Sequence, residues 1–262
     1  MSSAPHQRQH LYVRDTGVGQ TVLFLHGFPL SHTMWDDAIE RLAPAYRCIA
    51  PDLRGFGRSA PVHGPVMSME TYADDIARTL DRLDVTHAHV VGLSMGGYIA
   101  LAFAERHAER LRTLTLVDTR AEAEDEAGRA RRVQAATSLL EVGRAAFARD
   151  MITKLVAPGA ALELRARLAT LIEAAPYEST VAALMGMKVR PDRMHVLREL
   201  AVPYLVMCGE LDALTPPELS RAMAAANGRS ELALIPGAGH MSPMEQPDMF
   251  AARLAGFLER HA

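Results

Sequence analysis

Ser94 stands at the centre of a G-x-S-x-G pentapeptide, Gly92-Leu93-Ser94-Met95-Gly96, with Gly97 following. An apolar, β-rich run, His87–Leu93, enters it, and an apolar helix candidate, Met95–Glu105, leaves it. A hydroxyl is a poor nucleophile, so it attacks only where the backbone holds it on an exposed strand-to-helix turn within reach of a base. Such a turn imposes positive φ on the serine, which is tolerable where the flanking positions carry no Cβ, as Gly92 and Gly96 do not. Met95 N–H, the first amide of the helix, then faces the place where an oxyanion would form. Without its neighbours the pentapeptide is only a glycine-rich turn; the strand and helix around it supply the context the chemistry requires. Ser94 is the candidate nucleophile of an acyl transfer.

Other segments offer the remaining groups. HGFPLS follows the Thr21–Leu25 run, and its Gly27 allows a tight turn that presents the Phe28 N–H. Pro29 has no N–H to donate and biases Phe28 towards an extended conformation. Phe28 and Met95 amides together would make a two-donor oxyanion hole. His26 reads as structural, bonded to nearby backbone. GELDALTPP places Asp212 after the Pro203–Cys208 run, where a carboxylate can orient an imidazole; a helix-initiating or surface carboxylate is the plainer reading. GAGHMSPMEQPD presents His240 on a glycine-rich turn just past the last strand candidate. Asp118, at the end of the Arg112–Val117 run, is a second candidate for the acid, or an anchor for the connection that follows it.

These groups need a scaffold. Strands are predicted at His10–Arg14, Thr21–His26, Arg47–Pro51, His87–Leu93, Arg112–Val117, Pro203–Cys208 and Glu231–Ile235. The central ones are continuous apolar runs such as TVLFLH and YLVMC, the mark of parallel strands covered on both faces. Met69, Tyr72, Ala73, Ile76, Leu80 and Leu83 recur at helical spacing, as do Phe250, Leu254, Phe257 and Leu258. The alternation predicts an α/β fold with a doubly wound, mostly parallel sheet. Residues 121–195 break it, showing only helical patterns interrupted at Pro158-Gly159, Pro176 and Pro191. The opening AEAEDEAGRARR of that block reads as a solvated helix face with an Asp125–Arg129 pair, and Leu164, Leu168, Leu171 and Ile172 as an apolar stripe. The prediction is one structural unit, with a core of residues 1–120 and 196–262 and an inserted helical lid of residues 121–195. A helical layer remote from the site is the alternative.

The 262 residues suffice for a sizeable core, and the net charge of −3 with no basic patch speaks against nucleic acid as a partner. The opening MSSAPHQRQH has no apolar centre and does not read as a secretory signal. Val90–Ala104 is the longest nearly apolar stretch, too short for a membrane span and interrupted by Ser94 and glycines. Cys48 and Cys208 lie inside apolar runs and read as buried small hydrophobes, without disulfide or metal-ligand spacing. GVGQT and GFGRS lack the context of a nucleotide loop. Neither metal nor organic cofactor is expected, and cytoplasm is the default location.

The chain order Ser94, Asp212, His240, each beyond a different strand, is that of the α/β-hydrolase triad. HGFPLSHTMWD, APDLRGFGRS, GLSMGG, GELDALTPP and PGAGHMSPMEQPD resemble landmarks of α/β-hydrolase-fold esterases with a short lid, over almost the whole length. VDTRAEAED is similar to the branch of 3-oxoadipate enol-lactonases and bacterial carboxylesterases. The resemblance implies a serine hydrolase with Ser94 as nucleophile, His240 as base and Asp212 as its orienting acid, cleaving carboxylic esters or lactones through an acyl-enzyme. It makes APDLRGFGRS scaffold, tied by Asp52 and Arg54, with Phe56 near the site. Dehalogenases and epoxide hydrolases of this fold carry an aspartate where Ser94 stands.

Phe28, Trp35, Met95, Phe147, Met185, Met187, Met241 and Met244 are candidates for an adaptable apolar pocket taking small to medium uncharged acyl groups, or else core filling. A lactonase for a dicarboxylate would need an arginine from the lid, with Arg144, Arg149, Arg165, Arg167 and Arg190 available. C–C hydrolase, acyltransferase and perhydrolase activities share the triad, and a slow-turnover ligand receptor on the same fold is the non-enzymatic rival. A monomer and a homodimer are equally compatible with the sequence.

Overall fold

Seven strands build one sheet in the order β1-β3-β2-β4-β5-β6-β7 in the computed structural model, which describes residues 10–62 and 64–262. The strands are β1 (Val13–Thr16), β2 (Thr21–Leu25), β3 (Arg47–Pro51), β4 (Ala88–Leu93), β5 (Leu111–Val117), β6 (Tyr204–Gly209) and β7 (Ser230–Ile235). Only β1 runs antiparallel, against β3; the other pairings are parallel. Every residue of β2, β4 and β6 is buried, as continuous apolar runs require when helices cover both faces. β1 and β7, at the edges, are partly exposed. β1 lies about three residues beyond its predicted place, because its register is set by pairing Val13 with Pro51 through Thr16 with Cys48 rather than by the apolar pattern of HLYV. Residues 1–9 of the opening stretch that argued against a signal lie outside the described residues.

The helices are α1 (Asp36–Leu42), α2 (Met69–Arg82), α3 (Met95–Arg106), α4 (Glu126–Leu155), α5 (Leu162–Ala174), α6 (Tyr177–Val189), α7 (Met194–Glu199), α8 (Pro217–Ala224), α9 (Ser242–Glu245) and α10 (Pro247–Arg260). In α2, Ser68 caps the first turn by accepting the Thr71 N–H at 3.1 Å, and Met69, Tyr72, Ala73, Ile76 and Leu80 are buried. α2 packs on α3 and α1 on α10, whose Phe250, Leu254, Phe257 and Leu258 enter the core. Cys48 and Cys208 are buried and unbridged. Among the described residues no helix is long and apolar enough to cross a membrane.

From β2 the chain winds one way to β3, and β4 then starts on the other side of β2. Strand order thus reverses between β2 and β4, and a crevice opens at their C-terminal ends, where α/β sheets hold ligands. His26-Gly27-Phe28 and Ser94 leave those two strands.

Between β5 and β6 lie α4 to α7 with no strand, separated at Pro158-Gly159, Pro176 and Pro191 as predicted. Gly143, at φ 79° and ψ 170°, breaks α4 and turns its second half in a new direction. The charged opening of the block is solvated at Asp125, Glu126, Arg129 and Arg131, as predicted, but not at Glu124. Glu124 is buried against Arg120 and Arg132, and Asp125 caps α4 by accepting the Gly128 N–H at 2.6 Å instead of pairing with Arg129. A side chain at the cap position reaches orphan backbone N–H groups of the first turn more readily than a neighbour one turn on.

Candidate active site

Ser94 occupies a turn that its neighbours leave no room to relax. Its φ is 54° and its ψ −113°, outside the regions L-residues favour. A Cβ on Gly92 would lie 2.3 Å from Gly96 O, and one on Gly96 would lie 2.1 Å from Leu25 O, so both glycines are required by close backbone approach. Ser94 N–H donates to Val117 O at 2.9 Å, while Ser94 O accepts from Gly97 N–H at 2.9 Å and from the Thr119 hydroxyl at 2.8 Å. The turn is thereby clamped to the end of β5.

His240 Nε2 lies 2.8 Å from Ser94 Oγ, and His240 Nδ1 lies 2.8 Å from Asp212 Oδ2. Asp212 also accepts the Thr215 hydroxyl at 2.6 Å and the Leu214 and Thr215 N–H groups at 2.8 and 3.0 Å. Burial opposes its charge, but His240 and these donors prevail and hold its carboxyl below the usual range. Burial likewise opposes protonation of His240, yet the Asp212 carboxylate lifts its pKa above the ordinary histidine value. Glu245 fixes the histidine loop, accepting from the Ala157, Gly239 and Met241 N–H groups at 2.7, 2.9 and 3.2 Å.

Asp118 meets a different set of partners. It accepts Gly209 N–H at 2.7 Å and the Ser242 hydroxyl at 2.5 Å, joining the ends of β5 and β6 to α9. Burial first, then the neighbouring Asp212 charge, push its pKa up to about 8. Asp118, Cys208 and Asp212 bring potential ligand atoms within 4.8 Å of one another. Both carboxylates are already committed to hydrogen-bond donors, and burial pushes the Cys208 thiol up, so the trio has the character of a hydrogen-bonded junction.

His26 bonds through Nδ1 to Gly27 O at 2.9 Å and accepts Leu53 N–H on Nε2 at 3.0 Å, the structural place read from the sequence. Burial lowers its pKa to about 4. Asp52 ties its loop by accepting the His32 and Arg58 N–H groups, each at 2.8 Å, whereas Arg54 turns to Asp75 of α2. Phe56 meets the Phe28 ring edge-on at 6.3 Å. Among the described residues neither Phe28 N–H nor Met95 N–H has a hydrogen-bond acceptor. The Phe28 loop passes against the turn: a Cβ on Gly27 would lie 3.7 Å from Ser94 Cβ.

A cavity of about 560 Å³ opens on Ser94 and His240. Phe28, Tyr98, Phe147, Met151, Leu184 and Leu214 give it an apolar wall, and Arg120, Glu124, Arg131, Arg132, Asp150 and Lys154 a charged one. Trp35, Met95, Met185, Met187, Met241 and Met244 do not line it, contrary to the pocket read from the sequence. Trp35 is core, its ring 5.2 Å from Phe24 and 5.9 Å from Phe250. Met241 is buried at the start of α9, and Met185 packs on the core from α6. The arginines considered for a dicarboxylate are also absent from the lining. Arg144 stacks on Tyr177, Arg165 bonds Ala157 O, Arg167 pairs with Asp37, Arg190 stacks on Tyr98, and Arg149 is exposed. Arg120, Arg132 and Tyr98, which pattern reading missed, stand in their place.

A family model for the alpha/beta hydrolase fold matches residues 20–247. A putative carbamate hydrolase of Azorhizobium caulinodans is 31% identical, with 94% of each chain covered. Among solved structures, a thermophilic esterase from Thermogutta terrifontis, with malate bound, shares 39% identity at a TM-score of 0.92, covering 96% of this chain and 94% of that one. The enol-lactonase from Burkholderia xenovorans superposes at a TM-score of 0.88 over 98% of this chain and 99% of its own, but at 23% identity, and so shares the fold alone. By sequence over most of its length, and by the sheet and turn described above, this chain belongs to the alpha/beta hydrolase fold family.

Proposed function

We propose that this protein is a serine esterase that cleaves carboxylic esters of small to medium size by a Ser94-His240-Asp212 triad. The observation that carries the reading is the unbroken hydrogen-bond chain from Ser94 Oγ through His240 to Asp212, set on a positive-φ turn at the floor of the cavity. His240 takes the Ser94 proton as the oxygen attacks the ester carbonyl, and Asp212 holds the imidazole tautomer and stabilises the imidazolium. The free Phe28 and Met95 amides receive the oxyanion. His240 then protonates the departing alcohol, and water, activated by the same imidazole, releases the acid. Every step uses a side chain or amide of this chain.

The helical block of residues 121–195 acts as the lid. Phe147, Met151 and Leu184 from α4 and α6 face the same cavity as Ser94, so the block sets the room available to the acyl chain. A fluorophosphonate probe is expected to label Ser94 alone, and Ser94→Ala to abolish multiple turnover of 4-nitrophenyl butyrate while the far-UV spectrum is unchanged. Labelling at another residue, or a single slow burst in place of turnover, overturns the reading; the latter is the behaviour of a receptor.

A further inference from the structure

The cavity wall holds four cations, Arg120, Arg131, Arg132 and Lys154, against two carboxylates, Glu124 and Asp150. Asp150 and Lys154 satisfy each other at 2.6 Å on the outer, exposed part of α4. The inner group is different. Glu124, almost fully buried, accepts Arg120 Nη2 at 2.6 Å on one oxygen and Arg132 Nε and Nη2 at 3.0 and 2.7 Å on the other. Arg190 approaches the same carboxylate at 3.7 Å from behind, buried, with its guanidinium 4.1 Å from the centre of the Tyr98 ring. Three guanidiniums therefore share one carboxylate. Glu122, half-buried beside Arg120 and outside the lining, offsets part of the excess, and a positive charge remains.

Unused donors accompany that charge. Arg120 Nε, on a residue of the cavity wall, is buried without a hydrogen-bond partner among the described residues, as are Nε and Nη2 of Arg190 outside the lining. A buried donor left unpaired is costly, and a guanidinium fork suits the two oxygens of a carboxylate. The cluster is also tied to the nucleophile. Arg120 follows Thr119, whose hydroxyl holds Ser94 O at 2.8 Å, and Tyr98 lies one turn along α3 from Ser94. Ser94, Tyr98, Arg120 and Arg132 all line the one cavity, so an anion on the arginines and a carbonyl at Ser94 fit the same molecule.

We infer that Arg120 and Arg132 form a carboxylate subsite, and that the preferred substrates are esters whose acyl part ends in a carboxylate, the half-esters of short dicarboxylic acids. The substrate half of this inference rests on the esterase reading; the binding half does not. The apolar wall of Phe28, Phe147 and Leu184 covers the methylenes between the two ends, and Glu124 keeps the arginine pair in place when the ligand is absent.

The test compares mono-4-nitrophenyl glutarate with its neutral counterpart, methyl 4-nitrophenyl glutarate, on the same enzyme. The half-ester is expected to have at least about tenfold the kcat/KM of the neutral diester in low salt, the size of one charge-assisted pairing, and the ratio is expected to shrink as sodium chloride screens it. Arg132→Gln should lower the ratio. Glu124→Gln, which frees both guanidiniums from their internal partner, should raise it. Because each ratio is taken within one preparation, loss of folded protein cancels. Calorimetry with glutarate gives a second readout that needs no turnover: binding to wild type, weakened in Arg132→Gln. Equal kcat/KM for the two esters, or equal glutarate binding in wild type and Arg132→Gln, overturns the subsite and leaves the esterase reading intact. Glutarate binding without turnover of either ester supports the subsite and overturns the esterase.

Discussion

The turn at Ser94 and the roof above it are built by different means. The turn is held by backbone: a Gly96 Cβ would strike Leu25 O, Ser94 N–H is bonded to Val117 O, and the His240 and Asp212 loops leave neighbouring strand ends. The roof is held by side chains: Glu124 gathers Arg120, Arg132 and Arg190, Arg144 stacks on Tyr177, and Gly143 breaks the long α4. Backbone contacts leave few alternatives, so the reacting atoms have one geometry. Side-chain contacts can be exchanged residue by residue, so the lining of the cavity can vary while the Ser94 turn keeps its geometry.

The sharpest break in the comparison separates two aspartates that lie side by side. Asp212 touches His240, whereas Asp118 holds Gly209 and Ser242. Asp212→Asn should lower kcat by about 10⁴, because the imidazole loses its tautomer and its counter-charge. Asp118→Asn should lower the melting temperature more than kcat, since an amide cannot accept from every donor Asp118 now serves. Steady-state kinetics and calorimetric melting on both variants check this, and the reverse pattern would give the role of acid to Asp118.

Gly96→Ala attacks the backbone-built half directly. One methyl placed 2.1 Å from Leu25 O has no flexible side chain to push aside. A loss of about 3 kcal/mol, the upper part of the range for overpacking, is expected from chemical denaturation. Lys154→Ala, in the roof, removes an exposed ion pair and should cost no more than about 1 kcal/mol by the same measurement.

What the sequence disclosed follows the same division. Continuous apolar runs gave away β2, β4 and β6, and glycines next to Ser94 and His240 marked turns that only such residues can make. Asp212 was legible from its loop, three residues before Thr215, although nothing in the pattern separated it from Asp118 except the resemblance. The roof was legible as helices but not as a surface. Trp35 lies in a short 3-10 helix, where no period tells which way an indole points, and it turns into the core. AEAEDEAGRARR carries enough charge to look solvated throughout, yet Glu124 is buried with Arg120 and Arg132 bonded to its oxygens and Arg190, from the far end of the block, 3.7 Å away. Arg120, Glu124 and Arg132 are spaced at multiples of four, a signal of one-sided charge, but residues 120–125 precede the helix and the spacing alone does not place them together.

The pH profile sharpens the link within the proposed triad. His240 must be neutral to accept the Ser94 proton, so kcat/KM should fall as pH drops through the pKa of the free enzyme's imidazole. Burial pulls that pKa down, the Asp212 carboxylate lifts it, and the net direction is upward. The acidic limb should therefore have its midpoint above about 6.5, the ordinary histidine value. In Asp212→Asn the lifting charge is gone and the limb should move to lower pH, measured on whatever activity remains. A limb that stays in place in that variant would mean that Asp212 does not set the charge state of His240.

A modest effect is expected of the apolar part of the roof, and it tests whether the block of residues 121–195 is a lid. Phe147 is buried on the second half of α4 and faces the cavity across from Ser94. Phe147→Leu removes ring atoms from the wall while leaving an apolar side chain to fill most of the space. The stability cost should stay below about 1.5 kcal/mol, a shift of a few degrees in Tm for a chain of this size. The vacated room should be taken by substrate: each methylene that gains a dry apolar contact is worth roughly 1–3 kcal/mol in kcat/KM, so preference among 4-nitrophenyl acetate, butyrate and hexanoate should move about tenfold towards the longer chains. A purely structural Phe147 predicts the opposite balance, a lower Tm with the chain-length profile unchanged. That outcome would make the helical block a packing layer and leave acyl selection to Phe28 and the other residues of the strand-end loops.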